Sequence, residues 1–342
     1  MTSAEVRDLA RQCGFELAGV ARAEPVDDRH WYHQWTEAGF AGAMRYLTDH
    51  RAAIRDDPRN LLPSARSIIC VGKLYNSPWP YSTHFTERER AWISRYAWGR
   101  DYHLVLRRGL AQLEALLQER CGAFDSRICV DTAPLLERSY ARQAGLGWIG
   151  KNTCLINQPA GSWFFLGELL VSLSLEPDAP PPDRCGTCTR CIDACPTAAL
   201  VPAPRGYTVD SRLCISYLTI ELRGAIPEAN RAAMGAHLFG CDICQDVCPW
   251  NRRAPVTADP DFQAAHFAPR LEDLAAITEE EFRGMFHDTP VTRARYTGFL
   301  RNVATAMGAQ KNSRFRAPLE RLAASDNEMV AAHARWALDQ LG

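Results

Sequence analysis

The 342-residue chain lacks the features that direct a protein into or across a membrane. Its first residues, MTSAEVRDLARQCG, contain neither a basic start before an apolar run nor a twin arginine, and they predict no secretory signal. No uncharged apolar stretch approaches the roughly 20 residues that a spanning helix needs. We therefore expect a cytoplasmic monomer without a membrane partner.

The chain also has little lysine and almost no net charge. Its only lysines are Lys73, Lys151 and Lys311, so nearly all positive charge is arginine, which a bias in genomic composition would explain. A formal net charge of −1 gives no indication of a nucleic-acid or membrane partner for the chain as a whole. Any such surface must come from a local concentration of one charge.

Cysteine, in contrast, is abundant, with thirteen residues. An odd number does not fit a closed set of disulfides, and no export signal places the chain in an oxidising compartment. Eight of the thirteen lie between Cys185 and Cys248. Clustering of this kind favours metal ligation.

Helices and strands alternate before residue 177, which predicts one mixed α/β unit. A helix is expected over 3–13 with Ser3 as its N-cap, and a longer one over 102–120, where leucines recur at helical spacing. Residues 31–47 also look helical. The remaining predicted elements are strands at 15–21, 67–71, 126–131, 154–157 and 163–175, the last broken at Gly167, and a helix at 134–144.

The proline-rich stretch PDAPPPD at 177–183 marks a boundary before the cysteine-rich region, and a helical tail follows from about residue 271. Its last two helices resemble a HEAT-type hairpin. The predicted helices of the tail lie at 271–276, 279–287, 293–307, 316–324 and 329–341. We therefore expect three units, 1–178, 179–260 and 261–342.

The first cysteine run, Cys185-x2-Cys188-x2-Cys191-x3-Cys195-Pro196, has the spacing of bacterial ferredoxins. Two-residue gaps let three thiolates converge on one 4Fe–4S cubane, whereas the fourth cysteine points away and binds the other cluster. The second run, Cys241-x2-Cys244-x3-Cys248-Pro249, lacks one local cysteine, which Cys214 can supply. The predicted sets are therefore crossed: Cys185, Cys188, Cys191 and Cys248 for one cluster, and Cys195, Cys214, Cys241 and Cys244 for the other.

Two zinc ribbons are the alternative, since paired C-x2-C elements also bind zinc. Longer runs that each end in Cys-Pro favour the clusters instead. The other five cysteines are expected to be buried fillers: Cys13, Cys70, Cys121, Cys129 and Cys154. Two clusters in series can pass single electrons from an external donor to an acceptor in the large amino-terminal unit.

Two short motifs suggest other cofactors but fail in context. Residues 145–150 satisfy G-x-G-x-x-G, yet they follow a predicted helix and precede a strand, the reverse of a dinucleotide site. Asp101-Tyr-His103 begins the D-x-H-x-x-G signature of cobalamin domains with a histidine ligand, but Leu106 occupies the glycine position.

Long segments of the chain resemble the epoxyqueuosine reductase family, which uses cobalamin to complete queuosine in tRNA. They include RYAWGRDYH (95–103), VDTAPLLERSYARQAGLGWIGKNT (130–153) and FGCDICQDVCPWN (239–251). Further matching segments are RDDPRNLLPSARSII (55–69), FFLGELL (164–170) and CGTCTRCIDACPTAAL (185–200). The resemblance covers almost the whole chain.

This resemblance implies an α+β protein with a nitroreductase-like cobalamin-binding domain, a bacterial ferredoxin-like two-cluster domain and a HEAT-like helical domain. It implies cobalamin bound without a histidine ligand and reduced through two 4Fe–4S clusters. It also implies that the substrate is epoxyqueuosine at the wobble position of a tRNA anticodon stem-loop.

Asp131 matches the family's proton donor. Removal of an epoxide oxygen requires protonation of a poor leaving group, and a buried carboxylic acid kept neutral can supply that proton. The structural alternative is an N-cap for the helix that follows Pro134. The resemblance favours the acid. It also carries over six corrin contacts: Arg55, Ser94, Asp131, Ser216, Cys241 and Asp242.

A tRNA surface has support from charge alone, since no acidic residue interrupts the bases between positions 293 and 316. An ordinary solvated helix face is the alternative. The predicted tRNA contacts are Arg223, Arg293, Arg295, Arg301, Lys311 and Arg314. Two other functions stay open: a corrinoid reductase of small molecules, similar to reductive dehalogenases, and a simple electron carrier, which leaves the first unit without a role.

Overall fold

A computed structural model describes all residues from 1 to 342. Ten strands lie in chain order at β1 Leu17–Arg22, β2 Ser67–Leu74, β3 Trp92–Ile93, β4 Ser126–Cys129, β5 Trp148–Ile149, β6 Leu155–Ile156, β7 Phe164–Val171, β8 Leu200–Ala203, β9 Gly206–Val209 and β10 His237–Phe239. The α+β class is confirmed.

Fourteen α-helices accompany these strands, and short 3-10 turns connect several of them. The helices are α1 Ser3–Gln12, α2 Asp28–Glu37, α3 Arg51–Ile54, α4 Tyr102–Cys121, α5 Glu137–Gln143, α6 Arg190–Asp193, α7 Ile215–Ile220, α8 Glu228–Arg231, α9 Ile243–Asp246, α10 Leu271–Leu274, α11 Glu279–Met285, α12 Tyr296–Gln310, α13 Arg316–Ala323 and α14 Glu328–Asp339. No helix is both long enough and apolar enough to cross a membrane.

A four-stranded antiparallel sheet with strand order β1-β2-β7-β4 forms the centre of the amino-terminal unit. Leucines of α4 and apolar residues of α1 cover one face, and α5 packs on the other face. The sheet is buried on both sides, which explains why β2 is a continuous apolar run without polar alternation. Its last strands lead directly to the loops that carry the candidate site.

Several predicted boundaries were wrong for identifiable reasons. Helix α1 has Thr2 as its N-cap, not Ser3, because Thr2 and Glu5 form a capping box. The predicted helix over 31–47 ends at Glu37, and the predicted helix over 134–144 begins only at Glu137. Gly167 does not break its strand: β7 runs through it, and the missing side chain lets Leu106 and Leu110 of α4 approach closely.

The carboxy-terminal helices do not form an isolated layer. Phe299 and Val303 of α12 share one apolar core with Trp92 of β3 and with Phe239 of β10. β3 and β10 pair in parallel, so a segment of the first predicted unit is joined to the second by backbone hydrogen bonds. The partition into 1–178, 179–260 and 261–342 stays a prediction, but the three parts pack as one body around this core.

Candidate active site and metal centre

Four of the predicted cluster ligands line one cavity. The cavity has a volume of about 250 Å³, and its cysteines are Cys185, Cys188, Cys191 and Cys248. Cys185 and Cys188 lie on the loop that leads into α6 and Cys191 lies within α6, whereas Cys248 follows α9, about sixty residues later in the chain. The structure therefore brings the crossed set together, as the spacing predicts.

The second predicted set also converges, since each of its thiols influences the ionisation of the others. Cys195, Cys241 and Cys244 lie near Cys214, which immediately precedes α7. Cys195 follows α6 and is separated from the cavity of the first set by that short helix. Each set thus draws its ligands from both cysteine runs.

Burial holds several of these thiols in their protonated form, so they can bind as thiolates only together with a cationic group. Burial raises the pKa of Cys191 and of Cys248 to about 11, and neighbouring cysteines add to the effect. Burial likewise raises the pKa of Cys241 well above its ordinary value. Thiolates crowded in this way are stable only beside positive charge, which an iron–sulfur core supplies.

The spacing of the ligands differs from that of a single-ion site. Nowhere do three histidine, cysteine, aspartate or glutamate side chains lie close enough to hold one metal ion. Four thiolates around one zinc ion would each lie about 2.3 Å from it. A cubane needs a wider set, because its four cysteines surround a four-iron core. The cavity of the first set accommodates such a core.

Two of the cysteines expected to be buried fillers behave differently. Cys121 is exposed at the end of α4. Cys154 lies beside the predicted ligand Cys244, and its thiol donates to Gln245 Oε1 at 3.6 Å. Cys70 and Cys129 are buried in the sheet, as expected.

Asp131 follows β4 in a loop where its backbone has φ 51°, in the left-handed region that few non-glycine residues adopt. It is not an N-cap, because α5 begins six residues later. The residue lies deep in the fold, yet 41% of its side-chain surface is open. Asp131 therefore faces an internal recess, and the strained backbone holds it there.

Three side chains from distant parts of the chain surround the Asp131 carboxylate. Tyr102 donates its hydroxyl to Oδ2 at 2.9 Å, and His103 places Nε2 3.3 Å from the same oxygen. Arg293 approaches with Nη1 at 3.5 Å. Asp101, the N-cap of α4, fixes the other nitrogen of His103 at 2.7 Å. The sequence analysis missed His103 and Tyr102 as site residues, although both lie in the segment 95–103.

These contacts act on the protonation of Asp131, for which the sequence predicts a neutral acid. Burial favours its protonated form, but the contacts with His103, Tyr102 and Arg293 outweigh burial and hold the pKa of Asp131 below its usual value. Burial disfavours the charged form of His103, yet its contacts with Asp101 and Asp131 raise the pKa of His103 to about 9. These pKa shifts favour an ion pair in which His103 holds the proton and Asp131 is the anion, and the role of Asp131 as proton donor stays a prediction.

Two further carboxyl groups lie behind this site. Glu137 accepts the backbone N–H of Asp131 at 2.5 Å. Burial raises the pKa of Glu137 to about 8, and it raises that of Glu168 well above the ordinary value. No motif in the sequence pointed to this pair, since Glu168 lies in the interior of an apolar strand.

The predicted corrin contacts border the same region. Arg55 donates to the backbone carbonyl of Tyr46 at 3.1 Å, and the hydroxyl of Tyr46 lies 3.5 Å from Arg293. Ser94 donates to Asp242 at 2.5 Å, and Asp242 also accepts from Trp92 and from the Arg95 backbone. Ser216 and Cys241 lie within or next to the second cysteine set.

The predicted tRNA contacts do not form one exposed patch. Arg301 is 1% exposed and donates to three backbone carbonyls, those of Leu218, Leu222 and Gly224, so it serves the core. Arg293 lies at Asp131 and is paired with Glu221 at 2.7 Å. The interpretation of Arg301 as a phosphate contact was wrong, because its guanidinium turns inward to these carbonyls, whereas Arg293 is 37% exposed and its contact with tRNA stays a prediction.

The other four bases lie at or near the surface. Arg295 and Lys311 are exposed, and Arg314 is exposed but contacts Glu89 at 2.5 Å. Arg223 donates to the Arg293 backbone carbonyl at 2.8 Å, which places it between the surface and the Asp131 site. Although no acidic residue lies between these bases in the sequence, the fold places Glu221 beside Arg293 and Glu89 beside Arg314.

Two cysteine sets of this geometry beside an acid–base site define an iron–sulfur oxidoreductase. Residues 184–251 match the family described as "4Fe-4S double cluster binding domain", and residues 55–132 match "Epoxyqueuosine reductase QueG, DUF1730". An epoxyqueuosine reductase from Xanthomonas campestris is 42% identical, over 99% of this chain and 96% of that protein. One from Pseudomonas aeruginosa is 42% identical, over 98% of this chain and 94% of that protein. The chain belongs to the epoxyqueuosine reductase family.

Solved structures agree with this assignment. An epoxyqueuosine reductase with an epoxyqueuosine-modified stem loop of tRNA-Tyr matches with a TM-score of 0.89 and 30% identity, covering 99% of this chain and 90% of that one. The Bacillus subtilis enzyme with its catalytic aspartate loop swung out of the active site has a TM-score of 0.89, 29% identity and the same coverage.

Proposed function

We propose that this protein reduces epoxyqueuosine to queuosine at the wobble position of tRNA, with electrons that pass through two 4Fe–4S clusters to cobalamin. The observation that carries the proposal is the Asp131–His103–Tyr102 acid site in a recess of the same body that gathers the eight cysteines. A family relative with a modified tRNA stem loop supports the substrate.

The chemistry requires both parts of the site. Conversion of an epoxide to an alkene releases the oxygen as water and consumes two electrons and two protons. Oxygen leaves poorly as an anion, so a positioned acid lowers the barrier. His103 holds a proton at neutral pH, and Asp131 orients and stabilises the resulting cation. The hydroxyl of Tyr102 keeps the Asp131 carboxylate in position.

The residues present fit a corrin that has no histidine ligand from the protein. Nδ1 of His103 is hydrogen-bonded to Asp101, and Nε2 lies 3.3 Å from the Asp131 carboxylate, so both nitrogens lie against carboxylates. Bound cobalamin, reduced to the cob(I) state, would supply a strongly reducing and nucleophilic cobalt centre for cleavage of the carbon–oxygen bond. We propose that Arg55, Ser94, Asp131, Ser216, Cys241 and Asp242 hold it. Cys241 would then contact the corrin and also bind the second cluster. An electron would therefore travel only a short distance from that cluster to the cobalt.

We propose that the amino-terminal unit is nitroreductase-like and that the terminal helices are HEAT-like and bind the anticodon stem-loop. Arg295 and Lys311 are the exposed bases for phosphate contact, with Arg223 at the entrance to the site and Arg314 at the edge. The protein acts as a cytoplasmic monomer. These bases position the RNA, whereas the modified base is read in the recess.

We propose that an acidic electron-transfer protein is the external one-electron donor. The cavity of the first cysteine set is lined by Lys151, Arg184 and Arg190 and by no acidic residue. Lys151 also donates to the backbone carbonyls of Gly186 and Cys188, which ties its charge to the ligand loop. These three basic side chains attract a donor of opposite charge to the cluster nearest the surface.

The test is reconstitution with iron, sulfide and cobalamin, followed by incubation with tRNA that carries epoxyqueuosine. Nucleoside mass spectrometry should show the loss of one oxygen atom. Asp131→Asn should retain both cofactors and lose roughly 100- to 10,000-fold in kcat, the range for loss of a general acid–base group. Full activity of this variant, or a protein that holds zinc and no corrinoid, contradicts the proposal.

A further inference from the structure

The central sheet contains a carboxyl group for which the fold offers no hydrogen-bond donor. Glu168 lies in the interior of β7 and is 0% exposed, and neither of its carboxyl oxygens has a donor in the protein. Its neighbours across the sheet are the thiols of Cys70 on β2 and Cys129 on β4. An ionised carboxylate in this position would be strongly unfavourable, so the group is held as an acid.

Glu168 does have one polar neighbour, which is a second carboxyl group. The side chain of Glu137, at the start of α5, lies within hydrogen-bonding reach of Glu168. Two carboxyl groups can contact each other in this way only when a proton lies between them. The other groups that act on the pair are the Asp131 carboxylate, which disfavours a second negative charge, and Arg138, which acts weakly on Glu137. Both carboxyl groups have raised pKa values for these reasons.

The pair is connected directly to the acid site. Glu137 accepts the backbone N–H of Asp131 at 2.5 Å, and this bond fixes the loop whose left-handed backbone places Asp131 in the recess. Glu168 is therefore buried within the sheet, whereas Glu137 contacts Asp131, the residue that pairs with His103. Nothing in the cysteine region contacts it.

We propose that Glu137 and Glu168 are two protonated carboxyl groups in contact and form a proton store behind Asp131. The inference rests on the proposed function, in which each turnover needs two electrons and two protons to release the epoxide oxygen as water. His103, paired with Asp131, supplies the first proton. Glu137 passes its proton to the Asp131 carboxylate and so supplies the second, while the proton of Glu168 is then shared by the two glutamates, and solvent restores both spent protons after the product leaves. Glu168 stabilises Glu137 in its protonated state and acts as a positioning residue.

The first test is Glu168→Gln, which keeps size and hydrogen-bonding capacity but cannot take part in a shared carboxylic proton. The reconstituted variant should bind cobalamin, clusters and tRNA normally, lose at least about tenfold in kcat, and keep its KM for tRNA. Glu114→Gln is the matched control, because Glu114 is a half-buried glutamate on α4 whose partner is Ser126. Unchanged kcat in Glu168→Gln overturns the proposal.

The second test does not depend on turnover. Infrared spectra of the wild-type protein with 13C-labelled glutamate at neutral pH should contain a carbonyl band of a protonated carboxylic acid. That band should lose intensity in Glu168→Gln and in Glu137→Gln, because each variant removes one of the two acids, and should stay unchanged in Glu114→Gln. If the wild-type spectrum lacks this band, the proposed proton store is wrong. This outcome does not depend on whether either variant folds. An inactive Asp131→Asn together with a fully active Glu168→Gln would leave the proposed function standing and remove the store.

Discussion

The cysteine region and the Asp131 site are built in opposite ways. Seven of the eight predicted ligands come from two short runs in which spacing alone directs each thiol. The acid site instead collects Tyr102 and His103 from the start of α4, Asp131 from the loop after β4 and Arg293 from a distant turn. A local motif therefore predicts which cysteines come together, whereas the protonation state of an acid depends on neighbours that only the tertiary fold supplies.

The largest effect is expected from a break in the cysteine region. Cys248→Ser removes a ligand of the cavity set, and we expect loss of one cluster and more than about a hundredfold loss of activity, since even indirect changes at metal sites cost roughly 10- to 100-fold. Iron analysis and electron paramagnetic resonance would measure the loss. Cys121→Ser, which changes an exposed thiol, should leave both clusters in place. Retention of two full clusters in Cys248→Ser would refute the crossed assignment.

The acid site should reveal itself through pH. The pKa of His103 is raised to about 9, so the charged form is present at neutral pH and is lost as pH rises through that value. Single-turnover rates should therefore fall above pH about 9. In His103→Gln the single-turnover rate should be lower, and its decrease at high pH should disappear. If the variant keeps the same decrease, another group is responsible for it.

A smaller effect is expected where electrons enter. Reversal of one charge in Arg190→Glu should slow reduction by an acidic flavodoxin-type or ferredoxin-type carrier about threefold, and added salt should shrink the difference, because the interaction is a screened surface attraction. Reduction by dithionite should not change. Stopped-flow absorbance measures both. Arg205→Glu, at an exposed arginine away from the cavity, provides the control. Equal slowing with dithionite would indicate damage to the cluster rather than to docking.

The smallest effect compares two bases of the terminal helices. Lys311→Ala should weaken tRNA binding slightly and lower the slope of log Kd against log salt by about 1, as expected for one lost phosphate contact. Arg301→Ala should leave that slope unchanged but destabilise the fold, because its guanidinium serves three buried carbonyls. Fluorescence anisotropy over a salt series and thermal melting separate the two. The reverse pattern would contradict the inward orientation of Arg301.

Much of the fold can be predicted from the sequence, but local features are predicted better than features that depend on distant residues. Leucine spacing predicted α4, and apolar runs predicted β2, because both signals are local. Gly167 was misread as a break, since the helix that approaches it lies sixty residues away. Arg301 was misread as a surface base, because its carbonyl partners belong to α7 and the turn that follows it. Glu168 gave no signal, since a buried acid has meaning only beside Glu137.

The common core of Trp92, Phe239 and Phe299 has a consequence for how the protein can change over time. The helices that we propose to face the RNA pack against the strand pair that leads to Ser94 and Cys241, so they cannot be removed or exchanged as an independent unit. A truncation before α12 would leave large aromatic faces in water and a weakened cofactor wall. Changes in RNA preference must therefore arise from substitutions on the outer surface of these helices. Their inner surface packs against the strands that lead to the redox centre.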